Sequence, residues 1–309
     1  MKFKRVWAVY FSPTGTTKKV ACHMADELAD LLGAKRCDYD FTLPKAREGF
    51  ASISGADAGD LEASEIKVEE SGSDLAVFAT PTYAGRVPNV LLKYLSSIRG
   101  NGAAAIPVVT FGNRNFDNSL IELRDILENA GFYTVAAAAV SCEHSFSYSL
   151  GAGRPDSRDM EEIDNFARSI VKKFDSWKAQ AIACGLHAPI EVSGIAETYG
   201  GYYKPQDRSG THIDIRKVIP KVSEDCIDCG LCASVCPMGS IDPRDVRKMT
   251  GICIKCCACF KKCPVSARYF DDEGYLYHKT ELEDMYSRRA ENSFCLLYTS
   301  PSPRDSTSS

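Results

Sequence analysis

The chain has 309 residues, of which 44% are hydrophobic and 25% charged, and its formal net charge is −4. That length allows two domains, and the balance is ordinary for a globular chain. The charge offers no general attraction for nucleic acid or an anionic membrane, and no apolar run is long enough to span a bilayer.

Met1 to Phe11 combines basic residues with an apolar run too short for a secretory leader, and it runs straight into a motif. Val6 to Phe11 is β-branched and aromatic almost throughout, as expected of a strand buried on both faces of a parallel sheet. The loop Ser12-Pro13-Thr14-Gly15-Thr16-Thr17 follows, and then a helix with Val20, Met24, Leu28 and Leu31 on one face. Strand, hydroxyl-rich loop and helix together suit a phosphate. The helix end offers unpaired N–H groups and positive dipole, the hydroxyls donate, and Gly15 lets the backbone approach. The loop is neither G-x-x-x-x-G-K-[ST] nor G-x-G-x-x-G; a plain helix cap by a threonine is the alternative. Here the chain resembles flavodoxins, whose first loop reads [ST]-x-T-G-x-T. The resemblance implies that Ser12, Thr14, Gly15, Thr16 and Thr17 hold the phosphate of FMN.

Arg36 to Thr42 reads as a second strand, and the polar stretch from Leu43 to Gly72 as a surface insertion with some helix. Asp74 to Thr80 is a third buried strand. It enters Pro81-Thr82-Tyr83-Ala84-Gly85-Arg86-Val87-Pro88, then a helix through Leu91, Leu92 and Leu95. A P-T-Y-x-G-x-x-P loop packs on the isoalloxazine ring in flavodoxin-like proteins, so by resemblance Pro81, Thr82, Tyr83, Ala84, Gly85 and Arg86 are ring contacts. Ile106 to Phe111 is the fourth strand. Gly112-Asn113-Arg114-Asn115-Phe116-Asp117 follows, and then a helix carrying Leu120, Leu123 and Leu127. This matches the third flavin loop, with Gly112, Asn113, Arg114, Phe116 and Asp117 near the ring. Flavodoxins tend to be acidic there. Arg114 is therefore expected to stabilise a reduced, negatively charged flavin or a bound partner, or else to be a solvated surface arginine.

Phe132 to Val140 is the fifth strand, and Asp159 to about Gln180 the closing helix, with Ile163, Phe166, Ile170 and Phe174 in phase. Five strands alternating with helices predict an α/β doubly wound parallel sheet of flavodoxin-like order 2-1-3-4-5, with all three loops at the carboxyl ends of adjacent strands. The segments from His144 to Tyr148 and from Gly151 to Pro155 either cap the flavin or face the cysteines further on; His144 is read as structural. Gly185 to Val222 has no period and is read as an irregular junction.

Of the 14 cysteines, nine lie between Cys226 and Cys263, while Cys22, Cys37, Cys142, Cys184 and Cys295 are scattered. The dense stretch repeats C-x2-C-x2-C-x3-C-P: Cys226, Cys229, Cys232, Cys236 and Pro237, then Cys253, Cys256, Cys259, Cys263 and Pro264. Three thiolates at successive x2 spacing wrap one corner of an iron–sulfur cube, and the fourth is carried to the other cube. The expected ligands are Cys226, Cys229, Cys232 and Cys263 for one [4Fe–4S] cluster and Cys236, Cys253, Cys256 and Cys259 for the second. Zinc sites instead separate two C-x2-C pairs, and disulfides suit secreted chains. Cys257 is surplus and is read as a packed neighbour. This stretch resembles the bacterial two-cluster ferredoxins.

The whole arrangement resembles flavodoxin–ferredoxin fusions over Ser12–Ala21, Pro81–Pro88, Gly112–Asp117, His144–Asp159 and Lys204–Tyr269. The expected units are a flavodoxin-like FMN domain over 1–180, the junction over 181–221, a small α+β two-cluster ferredoxin domain over 222–272, and a C-terminal helix and tail over 273–294. Residues 295–309, rich in Ser and Pro, look like an adapter-derived artefact or a disordered tail and are set outside the fold. The implied function is electron transfer between two [4Fe–4S] clusters and FMN, in the cytoplasm, with redox proteins as donor and acceptor, no nucleic acid and no membrane insertion; a homodimer stays open. Two alternatives stand beside it: an FMN-dependent reductase of a small acceptor (quinone, flavin, disulfide or oxygen), and a cluster-only sensor or docking protein. No catalytic residue is assigned, since no Ser/His/Asp arrangement or nicotinamide fingerprint occurs.

Overall fold

A computed structural model describes residues 3–48, 74–184, 188–196 and 198–296. The expected insertion, from residue 49 to its end, lies outside the described residues, as do 185–187 of the junction and 297–309 of the tail.

The first strand, β1 (Arg5–Tyr10), alternates two apolar sets. Trp7 and Val9 point to one side of the sheet and Val6, Ala8 and Tyr10 to the other, so one strand feeds two cores. The helix α1 (Thr16–Leu32) follows and ends at Gly33, whose positive φ closes the last turn. Next come β2 (Lys35–Asp40), β3 (Asp74–Pro81), α2 (Asn89–Leu95), β4 (Ala104–Phe111) and α3 (Ser119–Asn129). The predicted fifth strand is broken in two, β5 (Tyr133–Thr134) and β6 (Ala136–Ser141), and the closing helix α4 runs over Ser157–Cys184.

The sheet order is β2-β1-β3-β4-β6, all parallel, with β5 beside the start of β4. This is the flavodoxin-like order that the sequence predicts. Val20, Met24 and Leu28 of α1 and Ile163, Phe166 and Ile170 of α4 cover one face. Leu91 and Leu95 of α2 and Leu120, Leu123 and Leu127 of α3 cover the other.

The cysteine region folds as two copies of one small pattern. Its elements are β7 (Lys221–Val222), α5 (Leu231–Ser234), β8 (Ile241–Asp242), β9 (Asp245–Met249), α6 (Ala258–Lys261) and β10 (Arg268–Tyr269). Val222 pairs with Arg268, and Met249 with Ile241. An offset of 27 residues converts one pair into the other, as it does the two cysteine runs.

The helix α7 (Glu273–Met285) starts at Asp272, whose carboxylate accepts from Tyr275 N. The chain then returns to the first unit, and β11 (Ser293–Leu296) adds an antiparallel strand beside β6. This corrects the sequence reading in one respect: Cys295 and Leu296 belong to the sheet. An antiparallel partner asks only for extended backbone and an apolar inner face, and no periodic signal in four residues announces it. Among the described residues, no helix is long and apolar enough to cross a membrane.

Candidate functional site

At the carboxyl ends of β1, β3, β4 and β6 the structure has a hollow. It is lined by Pro13, Thr14, Thr16 and Thr17 of the first loop, Pro81, Thr82 and Tyr83 of the second, Thr110 and Phe111 at the end of β4 with Gly112 of the third, and Cys142, Glu143, His144 and Ser145 after β6. A crevice at strand ends, where the strand order reverses, is where doubly wound sheets bind ligands.

The hydroxyls of the first loop are specialised. Ser12 Oγ accepts from Lys18 N at 2.8 Å and stays behind the hollow. Thr17 of α1 and Thr110 of β4 share a hydrogen bond of 2.7 Å. Thr14 and Thr16 Oγ lie 3.5 Å apart. Gly15 precedes α1 with φ 105°, a Cβ there would meet nothing within 4 Å, and of the first-turn amides Lys18 N is already taken by Ser12 Oγ. The helix N-terminus is thus left facing open space lined by hydroxyls, which fits an anion such as a phosphate.

The second and third loops divide differently from the sequence expectation. Thr82 and Tyr83 line the hollow, but Arg86 does not. Its guanidinium is buried in a bidentate pair with Glu122 (2.6 and 2.7 Å) and lies between the rings of Tyr199 and Tyr202, each 4.8 Å away. The junction lies on this loop, with Tyr203 N donating to Ala84 O at 2.8 Å. Gly85 has no room for a Cβ, which would stand 2.4 Å from Asp117 Oδ2. Asn113 is also a correction. It is buried, and its amide donates to Tyr286 O and Arg288 O while its Oδ1 accepts from Ala290 N, so it anchors the returning C-terminal segment. Arg114 pairs with Asp117 and stacks on Tyr203 at 4.5 Å, so it is neither an unmatched cation beside a ring nor a solvated surface arginine. Phe116 packs on Phe111. Of the third loop only Gly112 lines the hollow. It must be glycine, because a Cβ would come within 2.2 Å of His144 Cδ2 and 2.9 Å of His144 Cα.

Sequence reasoning missed Thr110, Cys142 and Glu143 as lining residues, while Ser145 belongs to the segment expected to cap the flavin or face the cysteines. The signal was available, since strand ends in an open α/β sheet face the crevice. His144, read as structural, sits in the wall. Its Nδ1 accepts from Phe146 N at 3.1 Å, and burial, aided by the neighbouring His278 and Lys261, lowers its pKa to about 3. It is neutral at pH 7.

The cysteines form two further hollows. One is lined by Cys226, Cys229, Cys232 and Cys263, with Val222, Val246 and Arg268. The other is lined by Cys236, Cys253, Cys256 and Cys259, with Ile241, Met249 and Cys257. In each, the fourth cysteine of one run joins the first three of the other, because the turn after it crosses the unit. The crossing rests on repeated backbone strain. Asp228 and Lys255, Gly230 and Cys257, and Gly239 and Ser266 occupy equivalent places and all have positive φ. Cys257 therefore takes the place of Gly230, in a left-handed turn before a short helix, and Cys256 keeps the x2 register. The Cys257 thiol lies 3.4 Å from Lys255 O and 3.6 Å from Tyr275 Oη.

The residues fit clusters rather than bare thiols. Backbone amides of Ser240, Lys255 and Ala267 donate to the sulfurs of Cys236, Cys253 and Cys263 at 3.3–3.4 Å, contacts that gain strength when the acceptor is a thiolate. Burial pushes the Cys256 thiol well above its ordinary value and Cys259 up to about 12. Thiolates are disfavoured there unless iron supplies compensating charge.

Tyr83, in the wall of the strand-end hollow, lies within electrostatic reach of the second cysteine set. Burial first, and the proximity of Cys256, Cys257 and Cys253 second, hold the Tyr83 phenol protonated. Lys261 of α6 fixes the contact between the units. It pairs with Glu143 at 2.5 Å, also donates to Ser147 O, and lies 4.1 Å from the ring centre of Tyr148. Arg47 donates to Pro237 O at 2.6 Å on the other side.

Residues 219–242 match the 4Fe-4S binding domain family, Fer4. The match includes the first cysteine run, and the second lies beyond it. Among solved structures the chain is similar to a Streptococcus pneumonia TIGR4 flavodoxin at 20% identity, with 55% of this chain and 99% of that chain covered and a TM-score of 0.36. A flavodoxin from the domain Archaea aligns at 11% identity, covering 55% and 99%, with a TM-score of 0.35. A Fusobacterium nucleatum flavodoxin mutant bound to flavin mononucleotide aligns at 16% identity, covering 55% and 97%, with a TM-score of 0.32. The fold assignment rests on the strand order and not on these likenesses. No curated protein matches the chain.

Proposed function

We propose that the chain is an electron-transfer protein that holds FMN in the strand-end hollow and a [4Fe–4S] cluster in each cysteine hollow. The observation that carries this reading is Glu143, which lines the strand-end hollow and pairs at 2.5 Å with Lys261, two residues from Cys259 of the second cysteine set. When bound, FMN takes one or two electrons and the clusters exchange one at a time. The chain supplies the order: an outer cysteine set, an inner set, and then the strand-end hollow. Thr14, Thr16 and the α1 N-terminus hold the phosphate, and Thr82, Tyr83 and Gly112 bound the ring. Cys229 of the outer set is exposed, whereas Cys256 of the inner set is buried. Around the outer set, Ile227, Leu231 and Val265 are exposed at 61%, 37% and 37%. Such a rim suits a protein donor or acceptor that docks transiently. In this reading the 1–180 and 222–272 units are the flavin and cluster modules. The 273–294 segment straps them together, since α7 packs on Phe146 and the chain after it ties to Asn113. Free thiols beside clusters suit a reducing cytoplasm.

The test is iron, sulfide and flavin per chain after anaerobic reconstitution. About eight irons and one FMN are expected. Four irons, or no flavin, would refute the arrangement.

A further inference from the structure

The walls of the two cysteine hollows correspond under the 27-residue offset. Val222 answers Met249, Pro264 answers Pro237 and Val265 answers Met238, all apolar. One correspondence breaks the pattern. Arg268 lines the first hollow where Ile241 lines the second. Both residues are buried, 2% and 3% exposed. Arg268 Nη2 donates to Cys232 Sγ at 3.1 Å and also to Val246 O. Its Nη1 is buried without a partner. A buried guanidinium with an unspent donor is strongly disfavoured unless negative charge stands beside it. Four thiolates round an iron–sulfur cube carry that charge, and carry more of it when the cube is reduced.

The geometry points to Arg268 as the residue that raises the reduction potential of the outer, Cys226-containing cluster. The inference rests on the two-cluster reading above. Hydrogen bonds to the sulfurs and local positive charge are the protein's levers on such potentials, and both stabilise the reduced form. Ile241 offers the inner cluster neither. The one-electron reduction moves no proton and breaks no bond, so Arg268 acts by position and charge alone. The consequence is local: Arg268 favours an electron on the outer cluster, next to the exposed rim.

The test is a redox titration of the reconstituted full chain, with the two clusters followed separately by the shifted cysteine β-proton signals in NMR. Arg268→Ile copies the inner wall onto the outer one. It should lower the affinity of the outer cluster for its electron about tenfold, or about 59 mV for one electron, and shift the inner cluster less. Arg268→Gln removes the charge but can still donate to Val246 O. It should move the outer potential in the same direction, and it decides the matter if Arg268→Ile fails to load iron. An unchanged outer potential in a variant that retains about eight irons overturns the inference. Fewer than two clusters in the unsubstituted chain would instead overturn the proposed function.

Discussion

Removing Glu122 separates the two roles open to Arg86, ring contact and structural tie. The carboxylate accepts twice from Arg86 and once from Val87 N, at 2.6–2.9 Å, and both side chains are nearly buried. Breaking a buried pair from one side costs about 3–5 kcal/mol, because the remaining charge is left uncompensated. The rings of Tyr199 and Tyr202 lie against the guanidinium in the parent as well, so they do not reduce this difference. Glu122→Ala should therefore destabilise the protein by about 3–5 kcal/mol, read as a fall in the urea midpoint on the order of 1 M. The double variant Glu122→Leu with Arg86→Met should recover most of the loss, since an apolar pair of similar volume replaces the ions. Its FMN affinity should match that of the unsubstituted chain. A loss under about 1 kcal/mol in the single variant, or a double variant that folds but no longer binds FMN, would refute the structural role of Arg86.

Thr17→Val removes the bond to Thr110 and one hydroxyl from the hollow, and should weaken FMN binding about tenfold at a cost near 1 kcal/mol, measured by fluorescence titration. Gly112→Ala forces a methyl into His144 and should cost about 1–3 kcal/mol of thermal stability, with reduced flavin content. Cys257→Gly should keep about eight irons while Cys256→Ala loses the inner cluster, as iron analysis would show, because Cys257 fills a left-handed turn that glycine accepts. His278 is buried, its Nδ1 has no partner, and burial reinforced by Arg114 lowers its pKa to about 4. The unfolded chain takes up the proton first, so this contribution is intact above about pH 6.5 and is lost as pH falls toward 4. Unfolding of the chain at pH 7 and 5 should show this loss, and His278→Phe should flatten it.

Local pattern carries far in this chain. The alternation of Val6, Ala8 and Tyr10 against Trp7 and Val9 is enough to announce a strand buried on both faces. The C-x2-C-x2-C-x3-C-P spacing, repeated after 27 residues, assigns each cysteine to its hollow, because ligand and turn lie within a few residues of one another. The first flavin-like loop is similarly short-range: Thr14, Thr16 and Thr17 line the hollow, while Ser12 turns to Lys18 N. Tertiary structure decided what depends on distant partners. Arg86 turned to Glu122, Asn113 to the chain after α7, and Arg114 to Asp117 and Tyr203, since a charged or amide side chain in a loop takes whichever buried partner folding brings. The same holds for Cys295 and Leu296 in the sheet, for Tyr83 within electrostatic reach of the inner cysteines, and for the buried guanidinium of Arg268 against Cys232. Spacing along the chain fixes which thiols can share a cluster, but only the packing of one unit on another sets which charges and rings surround it.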